Sequence, residues 1–177
     1  MATTKILIAG FGGQGILFTG KAIAYTGLKA GKEVSWLPSY GPEMRGGTAN
    51  CSVTLSDDPI GSPIVDKPDV LIAMNLPSLE KYYNETEKDG YIVYDSSLID
   101  KENTRADVTV AGIPATKLAS DNALEGLANM IILGKVLKLT NVLTLEQIKT
   151  SLAQMIPAKK AHLLDSNVKA IELGYNY

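Results

Sequence analysis

The feature that most constrains the fold of this chain is a glycine-rich turn at residues 10–15, with the sequence GFGGQG. Residues 5–9 before the turn form an apolar run, which is typical of a strand covered on both faces of a parallel sheet. Residues 14–30 after it have the apolar spacing of a helix that ends at Gly31. A strand, a tight glycine turn and a helix in this order predict the start of a Rossmann-like α/β fold.

Strands and helices continue to alternate beyond this unit. Residues 48–55 alternate between apolar and polar side chains, which predicts a strand with one wetter face, antiparallel or near an edge. Apolar runs predict the other strands at residues 34–37, 69–74, 90–94 and 108–111, and a helix at residues 77–87. From residue 115 onward the chain is predicted to be helical.

This order of elements predicts the fold class. We expect a three-layer α/β/α sandwich with a mixed, mostly parallel, Rossmann-like sheet and C-terminal helices. The chain is read as a single domain over residues 1–177, with an α/β core at residues 1–140 and a helical part at residues 141–177.

The predicted helix at residues 124–139 is apolar nearly all round. Such a helix is either central in its own fold or covered by another subunit, so we expect the isolated chain to self-associate. Two N-cap pairs are predicted in the helical part, namely Asn122 with Glu125 and Thr144 with Gln147.

Composition excludes several classes of function. A net charge of −2 and the lack of a basic stripe argue against a nucleic-acid-binding protein. No apolar run is long enough for a signal-peptide core or a membrane span, so we expect a cytoplasmic protein. The chain has one cysteine, Cys51, and one histidine, His162. It therefore lacks the thiolates for an iron–sulfur cluster, and no zinc site is suggested. We expect Cys51 to be buried, and His162 to be exposed or to pack against a helix.

The glycine turn has two possible roles. Glycines allow a tight turn, and the N–H groups at the start of the helix could then bind a phosphate-bearing ligand. The alternative is a tight turn without a ligand. A dinucleotide would also need an acidic residue after the second strand. That strand ends in Leu37 and Pro38, and Glu33 precedes it, which disfavours NAD.

Residues 38–50 form a loop rich in glycine and proline after the second strand, where open α/β sheets bind ligands. The loop contains Glu43 and Arg45. Either the two side chains pair with each other, or Arg45 meets an anionic ligand or a partner subunit. The pattern alone favours neither.

Two motifs carry a family resemblance. The sequences GFGGQGI at residues 10–16 and SYGPEMRGGTA at residues 39–49 resemble the gamma subunit of 2-oxoacid:ferredoxin oxidoreductases, most closely the 2-oxoglutarate type. The similarity continues at CSV (51–53), DPIGSP (58–63), AMN (73–75) and GIPAT (112–116). It covers most of the first 140 residues, and the helices from about residue 144 carry little of it.

The resemblance implies a function. Enzymes of this family oxidatively decarboxylate a 2-oxoacid to an acyl-CoA and reduce ferredoxin. The alpha and beta subunits, and in some forms a delta subunit, would carry thiamine diphosphate, Mg²⁺ and iron–sulfur clusters. This chain would frame the active site, share coenzyme A as a ligand and be inactive alone. In agreement, it has no G-D-G thiamine motif, since Lys88 precedes Asp89 and Gly90.

Other identities stay open at this point. The chain could serve a pyruvate, branched-chain oxoacid or indolepyruvate enzyme, or be a stand-alone nucleotide-binding module. No catalytic or metal-binding residue is expected in it. The residues expected to contact a cofactor or other ligand are Gly10, Gly12, Gly13, Gln14, Gly15, Tyr40, Glu43, Arg45, Gly46 and Asn75. Asn75 and Asp95 end predicted strands at the same sheet edge, where they could line the site or form turns.

Overall fold

The computed structural model describes residues 2–39 and 48–177. The strands in these ranges are β1 (Thr3–Phe11), β2 (Glu33–Ser39), β3 (Thr48–Ser56), β4 (Val70–Ala73), β5 (Tyr91–Asp95) and β6 (Thr109–Ile113). The helices are α1 (Ile16–Lys29), α2 (Leu76–Tyr82), α3 (Ala115–Asp121), α4 (Ala128–Thr140), α5 (Leu145–Met155) and α6 (Ala161–Asn176). A short 3₁₀ turn, Ala158–Lys160, precedes α6.

The strands form one mixed sheet in the order β2-β3-β1-β4-β5-β6. Strands β1, β4, β5 and β6 pair in parallel, whereas β3 pairs antiparallel with both β1 and β2. The predicted mixed, mostly parallel α/β fold is confirmed. The predicted antiparallel strand at residues 48–55 is confirmed as well.

Apolar side chains separate into two cores on opposite faces of the sheet. Along β1, Ile6 and Ile8 belong to the larger core, which also holds residues of α1, α3, α4, α5 and α6. Leu7 belongs to the smaller core, which includes Leu79 and Tyr83 beside α2. This alternation follows from the period of two in a strand, and it explains why β1 is apolar throughout.

The second face of β3 differs from its expected character. Its alternation predicts a wetter side for Ser52 and Thr54, yet these residues are only 7% and 4% exposed. Polar side chains at buried positions need hydrogen-bond partners or neighbours that exclude water. On the same strand Ser56 meets the Thr3 hydroxyl at 2.8 Å, and Asn50 donates to the Tyr82 hydroxyl at 3.4 Å.

Helix α4 lies at the centre of the larger core. Met130, Ile131, Ile132, Leu133 and Val136 are each 0% exposed in the chain by itself. The all-round apolar pattern therefore reflects a central helix, and no partner is needed to cover it. The expected self-association of the isolated chain loses its basis.

The helix boundaries correct one prediction and confirm another. Asn122 does not begin a helix with Glu125, because α3 ends there and the Asn122 amide donates to the Leu118 carbonyl oxygen at 2.8 Å. Thr144 and Gln147 do form a capping box at the start of α5, with hydrogen bonds of 2.8 and 3.1 Å. In the described ranges no helix is both long and apolar enough to cross a membrane.

Candidate ligand site at the glycine loop

The glycine loop, residues 10–15, joins β1 to α1 at the edge of the sheet where the parallel strands end. Gly13 and Gly15 have φ angles of +90° and +74°, which residues with side chains rarely adopt. Gly15 is the N-cap residue of α1, and no side chain caps that end of the helix. The backbone N–H groups of the first turn, at the positive end of the helix dipole, are therefore available to an anion.

Gln14 fastens the loop to the neighbouring backbone. Its Oε1 accepts a hydrogen bond from the Phe11 N–H at 2.6 Å, and its Nε2 donates to the Met74 carbonyl oxygen at 3.0 Å. Gly10 packs below, where a Cβ would lie 2.6 Å from Gln14 Oε1 and 2.7 Å from Met74 Cβ. Both residues thus have a role in shaping the loop, and their contact with a ligand stays a prediction.

Asn129, in the first turn of α4, reaches the loop from the other side. Its Nδ2 donates to the Gly15 carbonyl oxygen at 3.3 Å and to the Thr19 hydroxyl at 3.1 Å. The Thr19 hydroxyl donates in turn to the same carbonyl oxygen at 3.0 Å. The starts of α1 and α4 are therefore joined through the Gly15 carbonyl.

Two cavities lie on either side of the glycine loop. The α4-side cavity has a volume of about 330 Å³ and is lined by the loop at Gly13 and Gln14, by α3 and by the start of α4. The β3-side cavity has a volume of about 310 Å³ and is lined by Phe11, Gly12 and the first turn of α1. A groove of about 390 Å³ at the other end of α1, between Lys29 and Glu146, is remote from the loop.

The other strand ends at this edge serve local structure. Asn75 caps α2, because its Oδ1 accepts the Ser78 N–H at 2.9 Å. Asp95 is fully buried and accepts hydrogen bonds from the Ser97 N–H at 3.0 Å and the Thr116 hydroxyl at 2.5 Å. These carboxylate contacts join the end of β5 to the start of α3. Both residues lie at the expected edge, with their described oxygen contacts made inside the chain.

Four predicted site residues, Tyr40, Glu43, Arg45 and Gly46, lie outside the described residues. The strands that flank them lie close to the glycine loop. Ser39 pairs with Asn50, and Thr48 pairs with Phe11, the second residue of the loop. The chain therefore leaves and re-enters the sheet at the same edge as the glycine loop, next to the β3-side cavity.

The sheet order also bears on dinucleotide binding. In a dinucleotide-binding unit, the strand that follows the first helix lies beside the first strand and ends in an acid. Here β3 lies between β1 and β2, and Glu33 is at the start of β2, with no acid from Val34 to Ser39. The geometry agrees with the sequence in disfavouring NAD.

Cys51 and His162 lie where the sequence predicts. Cys51 is fully buried on β3, and burial raises the pKa of its thiol to about 11, although the Trp36 ring N–H donates to its sulfur. His162 is exposed at the start of α6. Within residues 2–39 and 48–177, His, Cys, Asp and Glu side chains form no group of three that could hold a metal ion.

Sequence reasoning did not identify Asn129 or Thr116 as parts of this edge. Asn129 is separated from Gly15 by 114 residues, and it stands in an apolar helix where its neighbours indicate only a core position. Thr116 lies within a segment that contributes to the family resemblance, but no pattern there indicates its hydrogen bond with Asp95.

Comparisons with known proteins agree with the site and the fold. Residues 5–177 match the family model described as pyruvate ferredoxin/flavodoxin oxidoreductase. The chain is 37% identical over 176 residues to ketoisovalerate oxidoreductase subunit VorA of Methanothermobacter marburgensis, covering 98% of this chain but 36% of that protein. It is 33% identical over 174 residues to 2-oxoglutarate synthase subunit KorC of Methanocaldococcus jannaschii, covering 97% and 91%. The chain thus spans about a third of the ketoisovalerate relative's length.

Two solved structures share the fold. One is the gamma subunit of a keto/oxoacid ferredoxin oxidoreductase from Geobacter sulfurreducens PCA, with a TM-score of 0.85, 26% identity and coverage of 99% and 96%. The other is a 2-oxoglutarate:ferredoxin oxidoreductase from Magnetococcus marinus with 2-oxoglutarate, coenzyme A and succinyl-CoA bound. Its TM-score is 0.89 at 26% identity, and the match covers 99% of this chain and 31% of that one.

Proposed function

This chain belongs to the pyruvate ferredoxin/flavodoxin oxidoreductase family as a gamma-type member, and we propose that it works only within a multi-subunit 2-oxoacid:ferredoxin oxidoreductase. In this proposal the complex is cytoplasmic and converts a 2-oxoacid and coenzyme A to an acyl-CoA and CO₂, with two electrons passing to ferredoxin. Alpha and beta subunits carry thiamine diphosphate, Mg²⁺ and the iron–sulfur clusters, and this chain frames the active site.

The observation that carries the proposal is the glycine loop at the open sheet edge. It presents the uncapped start of α1 between two cavities, and the family model matches the chain around it from residue 5 to residue 177. The division of labour is supported by the thiol content of the chain. Its single cysteine is buried with a raised pKa, so this chain does not supply the thiolates of a cluster.

Coenzyme A is the ligand that we propose for the glycine loop. The N–H groups at Gly12, Gly13 and Gly15 and the start of α1 suit the negative charge of its phosphates. Arg45 is proposed to add a cation to the same anion. Coenzyme A supplies the thiol that accepts the acyl group, while residues of this chain bind and orient it. The Magnetococcus marinus relative, which has coenzyme A bound, supports this choice.

The proposed substrate is 2-oxoglutarate, with a branched-chain 2-oxoacid as the second candidate. The Methanocaldococcus jannaschii relative and the Magnetococcus marinus structure support 2-oxoglutarate. The higher identity to the ketoisovalerate relative, 37% against 33%, favours the branched-chain acid. The substrate pocket in our proposal lies mainly in other chains, so this chain alone carries little of the specificity.

The test is to purify the chain with the alpha- and beta-type subunits encoded beside its gene. The complex should reduce a viologen dye anaerobically with coenzyme A and one 2-oxoacid out of 2-oxoglutarate, 2-oxoisovalerate, pyruvate and indolepyruvate. The isolated chain should contain no iron or thiamine diphosphate and show no turnover. Stoichiometric iron or turnover in the isolated chain would contradict the subunit role. A different preferred acid would revise only the substrate.

A further inference from the structure

We propose that Asn129 is a positioning residue for the glycine loop, setting the geometry in which the loop binds its ligand. Asn129 belongs to none of the motifs that identify the family. The inference rests on the proposed function for the identity of the ligand, but the positioning itself rests on contacts inside this chain.

The first step is the hydrogen bonding at Gly15. Its carbonyl oxygen accepts from Asn129 Nδ2 at 3.3 Å, from the Thr19 hydroxyl at 3.0 Å and from the Thr19 N–H at 3.0 Å. Only the last of these bonds is an ordinary helical one. The other two tie the residue at which the loop becomes a helix to a side chain of α4.

The second step is that the orientation of the Asn129 amide is determined. A carbonyl oxygen can only accept, and the Thr19 hydroxyl uses its hydrogen on Gly15, so both partners of Asn129 require a donor. Nδ2 must therefore point to the loop. Asn129 is 5% exposed, and its Oδ1 has no hydrogen-bond partner among the described residues. An apolar side chain would avoid this cost, so the retained amide indicates a role for its N–H group.

The third step is the close fit between Asn129 and the loop. Gly15 has a positive φ, and a Cβ on it would also collide with Asn129 Nδ2 and lie 2.7 Å from Asn129 Cγ. The loop conformation and the amide position therefore depend on each other. Asn129 and Gly13 line the same α4-side cavity, so a shift of the amide changes both the loop and the wall of the cavity.

A matched control exists in the same chain. Asn167 of α6 is 6% exposed, and its Oδ1 also has no partner among the described residues. Its Nδ2 donates at 2.7 Å to the Leu163 carbonyl oxygen of its own helix. Asn129→Asp and Asn167→Asp thus make the same chemical change at equal burial, and only the first change affects the glycine loop.

The first experiment needs no activity. Amide hydrogen exchange of the full chain, read by mass spectrometry, should show faster exchange at residues 12–19 in Asn129→Asp, by about tenfold for the loss of one hydrogen bond. Asn167→Asp should leave exchange at these residues unchanged. Equal exchange at the loop in both variants, or no change in Asn129→Asp, would overturn the positioning role whatever the enzyme does.

The second experiment uses the assembled enzyme. Asn129→Asp should raise KM for coenzyme A about tenfold and change kcat by less than about twofold, because it disturbs binding geometry. Asn167→Asp should lower the melting temperature with KM unchanged. If Asn129→Asp fails to assemble, the near-isosteric Thr19→Val removes a partner of the same network and should raise KM about threefold. An unchanged KM in the variant that assembles would overturn the role in ligand binding, and an inactive wild-type complex would instead contradict the proposed function.

Discussion

Gly134 of α4 and Gly174 of α6 lie at the crossing of the two helices, where the helix backbones are in contact. A Cβ on Gly134 would collide with the Ile171 carbonyl oxygen, and a Cβ on Gly174 would collide with the Ile131 carbonyl oxygen. The contact between α4 and α6 is the most extensive between any two helices in the described ranges. The C-terminal helix is thus packed directly on the central helix of the core.

The first prediction follows from this crossing. Gly134→Ala should destabilise the chain by roughly 1–3 kcal/mol, because the added methyl group separates two packed helices. The usual gain of alanine over glycine inside a helix, about 1 kcal/mol, opposes the loss and sets its lower end. The measurement is urea unfolding followed by circular dichroism.

A control for this prediction is Gly61→Ala. Gly61 has an ordinary φ and no atom within 4 Å of an added Cβ. Its substitution should change the free energy of unfolding by about 0.5 kcal/mol or less. A Gly134→Ala chain as stable as the wild type would show that the two helices can separate without cost.

The second prediction concerns Arg105, which fastens the segment between β5 and β6. Its guanidinium donates at 2.8 Å to the carbonyl oxygens of Tyr83 and Thr86, and it binds Asp107 through two nitrogens. Arg105→Lys keeps the charge but cannot make all of these bonds, so it should cost roughly 1–3 kcal/mol of unfolding free energy. Lys117→Met, which removes an exposed ion pair with Asp121, should cost about 1 kcal/mol or less.

The same pair gives the stability of the chain a pH dependence with a definite sign. The hydrogen bond from Arg105 lowers the pKa of Asp107 below its usual value of 3.8. A carboxyl with a lowered folded-state pKa stabilises the fold above its unfolded pKa, and this stabilisation is lost as pH falls through the folded value. Asp107→Asn should therefore lose less stability than the wild type between neutral and acidic pH, measured by urea unfolding. An identical acid dependence would rule out this contribution.

The third prediction concerns the thiol of Cys51. Burial raises its pKa from 9.0 to about 11, so at pH 8 the folded chain has roughly a hundredfold less thiolate than an exposed cysteine. Labelling by iodoacetamide should be slow in the folded chain and fast in urea. The unfolded thiol ionises at the lower pKa, so the free energy of unfolding should fall as pH rises from 9 toward 11. Fast labelling of the folded chain would show that the site opens.

Sequence reasoning succeeded where a local pattern determines the structure. The glycine loop at residues 10–15 and the capping box of Thr144 with Gln147 both depend on neighbours within a few residues. It failed at Asn122, because the same residue type that begins a helix also ends one, and the preceding helix α3 decides which occurs.

Contacts between distant parts of the chain could not be predicted. The apolar pattern of α4 is the same for a central helix and for a helix under a partner, and only the position of α6 distinguishes them. Asn129 is similar, since its function depends on a carbonyl group 114 residues earlier in the chain. The family resemblance locates the site, but it does not explain which side chains hold the loop in shape.

The last prediction tests the two roles that the sequence allows for Arg45. If Arg45 only pairs with Glu43 at the surface, Arg45→Ala in the assembled enzyme should cost roughly 0–1 kcal/mol of transition-state stabilisation. If Arg45 binds an anionic group of coenzyme A or the 2-oxoacid, the loss should be on the order of 2–5 kcal/mol, because the contact is charge-assisted and partly desolvated. The loss would appear in kcat/KM with assembly unchanged.

Glu43→Gln separates these two cases, because it removes the acid and keeps the cation. We expect Arg45→Ala to be clearly worse than Glu43→Gln, since the anion-binding start of α1 lies at the sheet edge where Ser39 and Thr48 flank this loop. A cation at that edge would act on the same negative charge as the helix dipole, so the two contributions should add. Equal and mild effects of both substitutions would instead assign the loop a purely structural role.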